Sequence, residues 1–131
     1  MKHVELIQNY YKYFNEQNIE GMLSCLHSDF THDVNESSSK NGKETFKTFL
    51  KYMNEHYLEK LENIIIMSDG DNNLAAKFIV NGKYLKTDGQ LPQARGQEYK
   101  IPAAQLFEVK DNLIHRVTTY YNLKDWIQKV Q

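Results

Sequence analysis

The sequence contains little cysteine, little proline and no long apolar segment. It has one cysteine, Cys25, and two prolines among 131 residues. A single cysteine excludes a disulfide bond within the chain, so stability must come from a packed core. The nearest candidate for a membrane segment is the apolar run 64–67, which is far short of the roughly 20 residues that a spanning helix needs.

Charge of one sign is not in excess either. The chain has 16 basic and 17 acidic side chains and a net charge of -1. Proteins that bind nucleic acid or anionic membrane surfaces usually carry a strongly basic face, so we expect neither partner. The first residues lack the basic and then apolar pattern of a signal peptide, which favours a cytoplasmic location.

The length predicts a single domain over residues 1–131. A chain of 131 residues can build one core with a modest cavity, but it is too short for a cofactor domain beside a substrate domain. We therefore expect at most one small-molecule pocket.

Apolar residues at helical spacing predict three helices in the first half of the chain. The first covers about residues 3–16. The second follows Asn18, which has the properties of an N-cap, and ends at residues 27–28. The third begins after a sequence of the capping-box type at 41–44 and ends near His56.

The second half has the alternation and turn residues of antiparallel strands. A short edge strand precedes two hairpins, with turns at 69–70 and 111–112, a connection at 86–96 and a short closing helix at 123–130. The predicted strands are 30–35, 61–67, 74–85, 97–109 and 113–122. This order predicts an α+β domain in which a strongly curved antiparallel sheet wraps the three helices.

Pro102 lies inside the third long strand, where its missing N–H would interrupt the hydrogen-bond ladder unless the position is an edge or a bulge. We expect a bulge there, since bulges bend sheets. A bent sheet that closes over a helix leaves a conical hollow between them.

Tyr10 lies at the centre of the apolar arc of the first helix and is expected to point into this hollow. A buried phenol hydroxyl needs a hydrogen-bond partner, because an unpaired buried polar group costs on the order of 1–3 kcal/mol. That partner is either a main-chain carbonyl of the core or a ligand that enters the hollow.

Four short strings follow one another along the chain. They are YYKYFN at 10–15, His32-Asp33 ahead of Gly42, FEV at 107–109, and RVTTYYN at 116–122 ahead of Trp126. In order and spacing they resemble the SnoaL-like polyketide cyclases and ketosteroid isomerases of the nuclear-transport-factor-2-like superfamily. The resemblance covers nearly the whole chain and implies a cone-shaped fold with three N-terminal helices on the curved sheet. The superfamily includes isomerases, cyclases, dehydratases, epoxide hydrolases and inactive binding modules, so the fold does not fix the function.

The resemblance to ketosteroid isomerases implies a catalytic trio. It places the oxyanion tyrosine on Tyr10, the general base on Asp33 and the second oxyanion donor on Gln105. The base of the SnoaL-type cyclases falls on Asn122, an amide that cannot accept this proton at neutral pH. The residues expected to bind a substrate are Tyr52, Phe107, Tyr121 and Asn122.

Each of these residues also has a simpler interpretation. Asp33 lies in a polar stretch and is then a solvated carboxylate, whereas Gln105 alternates with apolar residues that place its amide in the core. In a strand His32 and Asp33 face opposite ways, so we expect no metal site there.

One of two alternating sets on the last strand lines the hollow, either Val117, Thr119 and Tyr121, which we favour, or Arg116, Thr118, Tyr120 and Asn122.

The leading hypothesis is a small homodimer, formed through the outer sheet face, whose pocket binds an apolar carbonyl compound. If it is an enzyme, it moves a proton next to the carbonyl and needs no cofactor or metal. The competing hypothesis is a ligand-binding module of the same fold without catalysis. The apolar run 64–67, which is apolar on both faces of its strand, supports the dimer.

Overall fold

The computed structural model describes residues 2–131 as four helices and a six-stranded sheet. The helices are α1 (Val4–Asn15), α2 (Ile19–Ser24), α3 (Lys43–His56) and α4 (Leu123–Val130). The strands are β1 (Leu26–Val34), β2 (Lys40–Asn41), β3 (Tyr57–Ser68), β4 (Asn73–Tyr84), β5 (Glu98–Lys110) and β6 (Leu113–Tyr121).

The sheet has the strand order β2-β1-β6-β5-β4-β3. Neighbouring strands are antiparallel except β1 and β6, which are parallel. The predicted α+β class, with three helices before the long antiparallel strands, is confirmed. No helix within residues 2–131 is long and apolar enough to cross a membrane.

The core lies between the inner face of the sheet and helices α1 to α3. Helix α1 is amphipathic and buries Ile7, Tyr10 and Tyr11. The Tyr11 ring packs edge-on against Phe78 of β4, with ring centroids 5.5 Å apart, and Tyr10 packs against Phe107 of β5 at 6.0 Å. Aromatic pairs of this geometry fix how α1 lies on the sheet.

Helix α2 ends at Ser24, not at residues 27–28 as predicted, because the chain enters β1 directly and Leu26 pairs with Ile114 of β6. The prediction of a capping box at 41–44 is also wrong. Gly42 is the N-cap of α3, with φ 94° and no side-chain cap among the described residues. The Asn41 side chain instead accepts a hydrogen bond from the Thr31 hydroxyl across the β1–β2 pair, at 3.1 Å.

The predicted bulge at Pro102 does not occur in the described sheet. Pro102 pairs with Ile79 in an unbroken β4–β5 register, and the register shifts of β5 lie at 108/109 instead. Strand β6 ends at Tyr121, opposite Ala103, so Pro102 has a neighbouring strand on one side only. A strand position with one free side tolerates a missing N–H, and no bulge is needed.

Candidate functional site

A cavity of about 390 Å³ lies between the inner sheet face and helices α1 and α3. Its lining is mostly apolar and aromatic, which is typical of sites for small organic molecules. The volume falls near the lower end of the range of about 300–1,000 Å³ that such sites occupy. The polar groups that reach this cavity determine what it can bind.

Tyr10 lines the cavity and is 3% exposed. Within residues 2–131 its hydroxyl makes no hydrogen bond, while its ring is held by Tyr11 and Phe107. Burial raises the pKa of Tyr10 well above its usual range, and the nearby Cys25 thiol adds to this. The group is therefore a neutral hydroxyl that can donate a hydrogen bond to a bound molecule.

Gln105 lines the cavity but is already bound by the protein on both sides. The hydroxyl of Tyr11 donates to Gln105 Oε1 at 2.9 Å, and Gln105 Nε2 donates to Thr119 Oγ1 at 2.9 Å. The three side chains belong to α1, β5 and β6 and all line the cavity. Sequence reasoning missed the role of Tyr11, the neighbour of Tyr10, as the tyrosine that holds this amide.

Asp33 does not line the cavity. Its neighbours His32 and Val34 do, and alternation along β1 turns Asp33 to the other face of the sheet. There its carboxylate accepts a hydrogen bond from Thr118 at 3.1 Å and pairs with Arg116 at 3.3 Å. The expected convergence of Tyr10, Asp33 and Gln105 is therefore not found, because only the tyrosine and the amide share the cavity.

His32 occupies the position in the cavity wall that the resemblance gave to Asp33. Its ring packs against Phe46 and Phe49 of α3, with ring centroids 4.9 and 4.8 Å away. The side chain is 7% exposed, and no hydrogen bond reaches its ring nitrogens from the described part of the chain. Burial lowers the pKa of His32 to about 4, although the charge of Asp33 opposes this. The imidazole is therefore neutral at neutral pH.

Glu59 is a second cavity residue that the sequence did not reveal. It lies on β3 between Tyr57 and Leu61, and all three line the cavity. The Tyr99 hydroxyl donates a hydrogen bond to its carboxylate. Burial raises the pKa of Glu59, whereas the bond from Tyr99 acts in the opposite direction. The predicted strand began at 61, so Glu59 fell outside the alternating pattern that would have pointed it inward.

The predicted substrate-binding residues separate into two pairs. Tyr121 lines the cavity with Thr119, and Tyr52 lies at its exposed side, 43% accessible. Phe107 is fully buried behind Tyr10 and Tyr11 and is not part of the cavity wall. Asn122 faces away, because it is the N-cap of α4 and accepts a hydrogen bond from the Asp125 amide at 3.0 Å.

The segment 85–97, between β4 and β5, borders the cavity with Asp88 and Leu91. The Asp88 carboxylate accepts hydrogen bonds from the hydroxyls of Tyr52 and Tyr57, the latter at 2.6 Å. These bonds attach the segment to the C-terminal end of α3 and to the start of β3. Among the described residues, no three His, Cys, Asp or Glu side chains are grouped in a way that could hold a metal ion.

Residues 7–117 match the family model of the SnoaL-like domain. The chain belongs to the SnoaL-like family. Three solved structures, each of a candidate polyketide cyclase, are similar over nearly their whole length. The protein from Silicibacter sp. TM1040 has 45% identity and a TM-score of 0.96, with 98% of this chain and 95% of that chain covered. The protein from Pseudomonas putida KT2440 has 40% identity and a TM-score of 0.96, with 100% and 99% covered.

The third structure, from Xanthomonas campestris pv. campestris, has 39% identity and a TM-score of 0.94, with 98% of this chain and 96% of that chain covered. An NTF2-like protein from Burkholderia xenovorans LB400 shares the fold at 10% identity, with a TM-score of 0.78. None of the curated proteins compared with the chain matches it. These similarities establish a SnoaL-like protein with the NTF2-like fold.

Proposed function

We propose that this SnoaL-like protein binds a small, largely apolar carbonyl compound in its cavity and catalyses proton transfer at the carbon next to the carbonyl. Isomerisation and ring closure both proceed through such a step. The reaction needs a base and hydrogen-bond donors for the enolate oxygen, and side chains can supply both.

The observation that carries this proposal is the pair of unsatisfied neutral groups, Tyr10 and His32, in one apolar cavity. Neither side chain has a hydrogen-bond partner within residues 2–131. A ligand oxygen in the cavity can accept hydrogen bonds from both groups without displacing a hydrogen bond of the protein. A neutral phenol and a neutral imidazole stabilise an oxyanion without requiring a positive charge in the cavity.

The similar structures support the same class of chemistry. Three of them, at 39 to 45% identity, are candidate polyketide cyclases. Cyclisation of a polyketide forms a carbon–carbon bond from an enolate, so it begins with the proton removal proposed here.

Exchange of carbon-bound hydrogen for deuterium tests the proposal directly. The protein is incubated in D₂O with a panel of small cyclic ketones and 1,3-diketones, and loss of the proton signal next to the carbonyl is followed by NMR. We expect exchange above the buffer rate for at least one compound, with inhibition by a phenol that imitates the enolate. Binding of the phenol without exchange of any ketone would instead favour the non-catalytic ligand-binding module.

We further propose that a second copy of the chain covers the outer face of the sheet. Met67, Ala75 and Leu106 form one row across β3, β4 and β5, and Met67 and Leu106 are 49% and 47% exposed. Ile65, on the same strand as Met67, is 50% exposed. Exposed aliphatic side chains on neighbouring strands, interrupted here by Lys77, are typical of a subunit interface.

A further inference from the structure

We propose that Glu59 is the residue that removes the proton from the substrate and returns it, and that Tyr99 positions the Glu59 carboxylate. This inference rests on the proposed function, since it names the base for the same reaction. Neither residue belongs to the trio implied by the family resemblance, and both were found from the arrangement of three neighbouring strands.

The geometry of this pair depends on a glycine. Glu59 of β3 pairs with Gly82 of β4, and Gly82 pairs with Tyr99 of β5, so the three residues form one row across the sheet. The Tyr99 ring lies over Gly82, where an added Cβ would overlap its ring and hydroxyl. The hydroxyl reaches Glu59 only because position 82 has no side chain. The Tyr99 ring also packs edge-on against Trp126, with ring centroids 5.9 Å apart.

The surroundings of Glu59 are suited to a base. Among the residues that the structure describes, no Lys, Arg or His side chain forms an ion pair with it, in contrast to Asp33, which pairs with Arg116. Burial raises the pKa of Glu59 above that of an ordinary glutamate, and the hydrogen bond from Tyr99 opposes this rise. A carboxylate whose pKa lies closer to the working pH is a stronger base than an ordinary glutamate.

Few other groups near Glu59 can change charge. Tyr99 faces it from β5 and Tyr121 from β6, and Asp88 approaches from the segment 85–97. On the helical side, the described residues of α1 and α3 that border this part of the cavity are uncharged. The remaining titratable groups of the cavity are His32, Tyr10, Tyr11, Tyr52 and Tyr57.

The proposed step balances without a further reactant. Glu59 takes the proton from the carbon next to the carbonyl, and the electrons of the C–H bond become the new C=C bond. The π electrons of the carbonyl move onto its oxygen, which accepts hydrogen bonds from Tyr10 and His32. The proton on Glu59 exchanges with solvent, so that in D₂O the carboxyl group returns a deuteron to a carbon of the enolate. The C=C electrons form the new bond to this carbon, and the carbonyl reforms.

Two substitutions test the proposal, with the deuterium exchange of the most reactive ketone as the readout. Glu59→Gln keeps the size of the side chain and removes the base, so we expect the exchange rate to fall by about 100-fold or more. Affinity for the phenol should stay within about threefold, since the base acts on the transition state. Glu98→Gln is the matched control, because Glu98 is exposed beside Tyr99, and it should leave the rate unchanged.

Tyr99→Phe tests the positioning role. The substitution removes the hydrogen bond that stabilises the carboxylate form, so the pKa of Glu59 rises further. A base works only when deprotonated, and the acidic limb of the rate–pH profile should therefore move to higher pH. A purely structural role for Tyr99 would lower the rate at every pH without moving this limb.

The possible results separate the two proposals. If the wild-type protein catalyses exchange and Glu59→Gln does so at the same rate, the role of Glu59 is refuted and the proposed function stands. Wild-type protein that binds the phenol but exchanges no ketone refutes the proposed function and the role of Glu59 together. If circular dichroism shows that Glu59→Gln does not fold, Tyr99→Phe decides, and an unshifted acidic limb overturns the inference.

Discussion

His32 and Asp33 are adjacent in β1, and their side chains lie on opposite faces of the sheet. His32 borders the cavity, whereas Asp33 is held by Arg116 and Thr118 on the outer face. The family resemblance gives the catalytic base to Asp33. The geometry assigns the cavity position to its neighbour, and this difference leads to a direct test.

Asp33→Asn should leave the deuterium exchange rate unchanged and reduce stability. The amide keeps an acceptor for the Thr118 hydroxyl but loses the ion pair with Arg116, which we expect to cost about 1 kcal/mol of unfolding free energy. Urea denaturation measures the stability and NMR the exchange. Loss of exchange in a variant with a native circular dichroism spectrum would restore Asp33 as the base.

Removal of the hydroxyl should lower stability at Tyr11 and ligand affinity at Tyr10. Tyr11→Phe leaves Gln105 Oε1 without its donor and should lower the unfolding free energy by about 1 kcal/mol. Tyr10→Phe removes no hydrogen bond within residues 2–131, so stability without ligand should change little while affinity for the phenol falls. Denaturation and calorimetric titration of both variants check this, and equal phenol affinity in Tyr10→Phe would exclude Tyr10 as a donor.

The stability of the protein should fall in mild acid because of His32. Its pKa is lowered from 6.5 to about 4 on folding, so between these values the unfolded chain binds the additional proton. The buried neutral His32 thus contributes on the order of 3 kcal/mol to the unfolding free energy. This contribution is fully present above the pKa of His32 in the unfolded chain and is lost as the pH falls through its pKa in the folded protein.

Urea denaturation between pH 7 and pH 4 measures this effect. His32→Gln should show a flatter dependence of stability on pH in this window. His3→Gln provides the control, since His3 lies outside the cavity and bonds to Asn72 on the surface. If His32→Gln and the wild-type protein lose stability in parallel, the neutral, buried state of His32 is refuted.

Leu106→Lys should convert the proposed dimer to a monomer. A charge in the centre of the outer apolar face opposes burial of that face between two copies. Size-exclusion chromatography with light scattering measures the molar mass. Leu85→Lys is the control, because Leu85 is 46% exposed but lies beyond the end of β4. A wild-type protein that is monomeric at micromolar concentration would refute the interface.

The order of helices and strands could be predicted because local signals in the sequence agree with the fold. Asp111 and Asn112 both adopt positive φ, 52° and 63°, as a two-residue hairpin turn requires, and the sequence placed the turn there. The connection 86–96 and the closing helix were likewise marked by turn residues and helical spacing. Pro102 was misinterpreted because its tolerance depends on where β6 ends, which is a property of the partner strand.

The cavity was predictable only in part. Helical spacing was enough to turn Tyr10 inward, and alternation showed that His32 and Asp33 cannot face the same side. Which of the two faces inward depends on the register of β1 against β6. The contact between Glu59 and Tyr99 could not be predicted from the sequence. These residues are 40 positions apart and meet only through the pairing of three strands over Gly82.

Gly82 determines how rigid the part of the cavity around Glu59 is before a ligand binds. Because β4 presents no side chain there, the Tyr99 ring lies directly on the backbone and also packs edge-on against Trp126. The entropy of orienting the carboxyl group is then lost during folding rather than during binding. A site built in this way discriminates by shape, and molecules that need Glu59 to move should bind poorly.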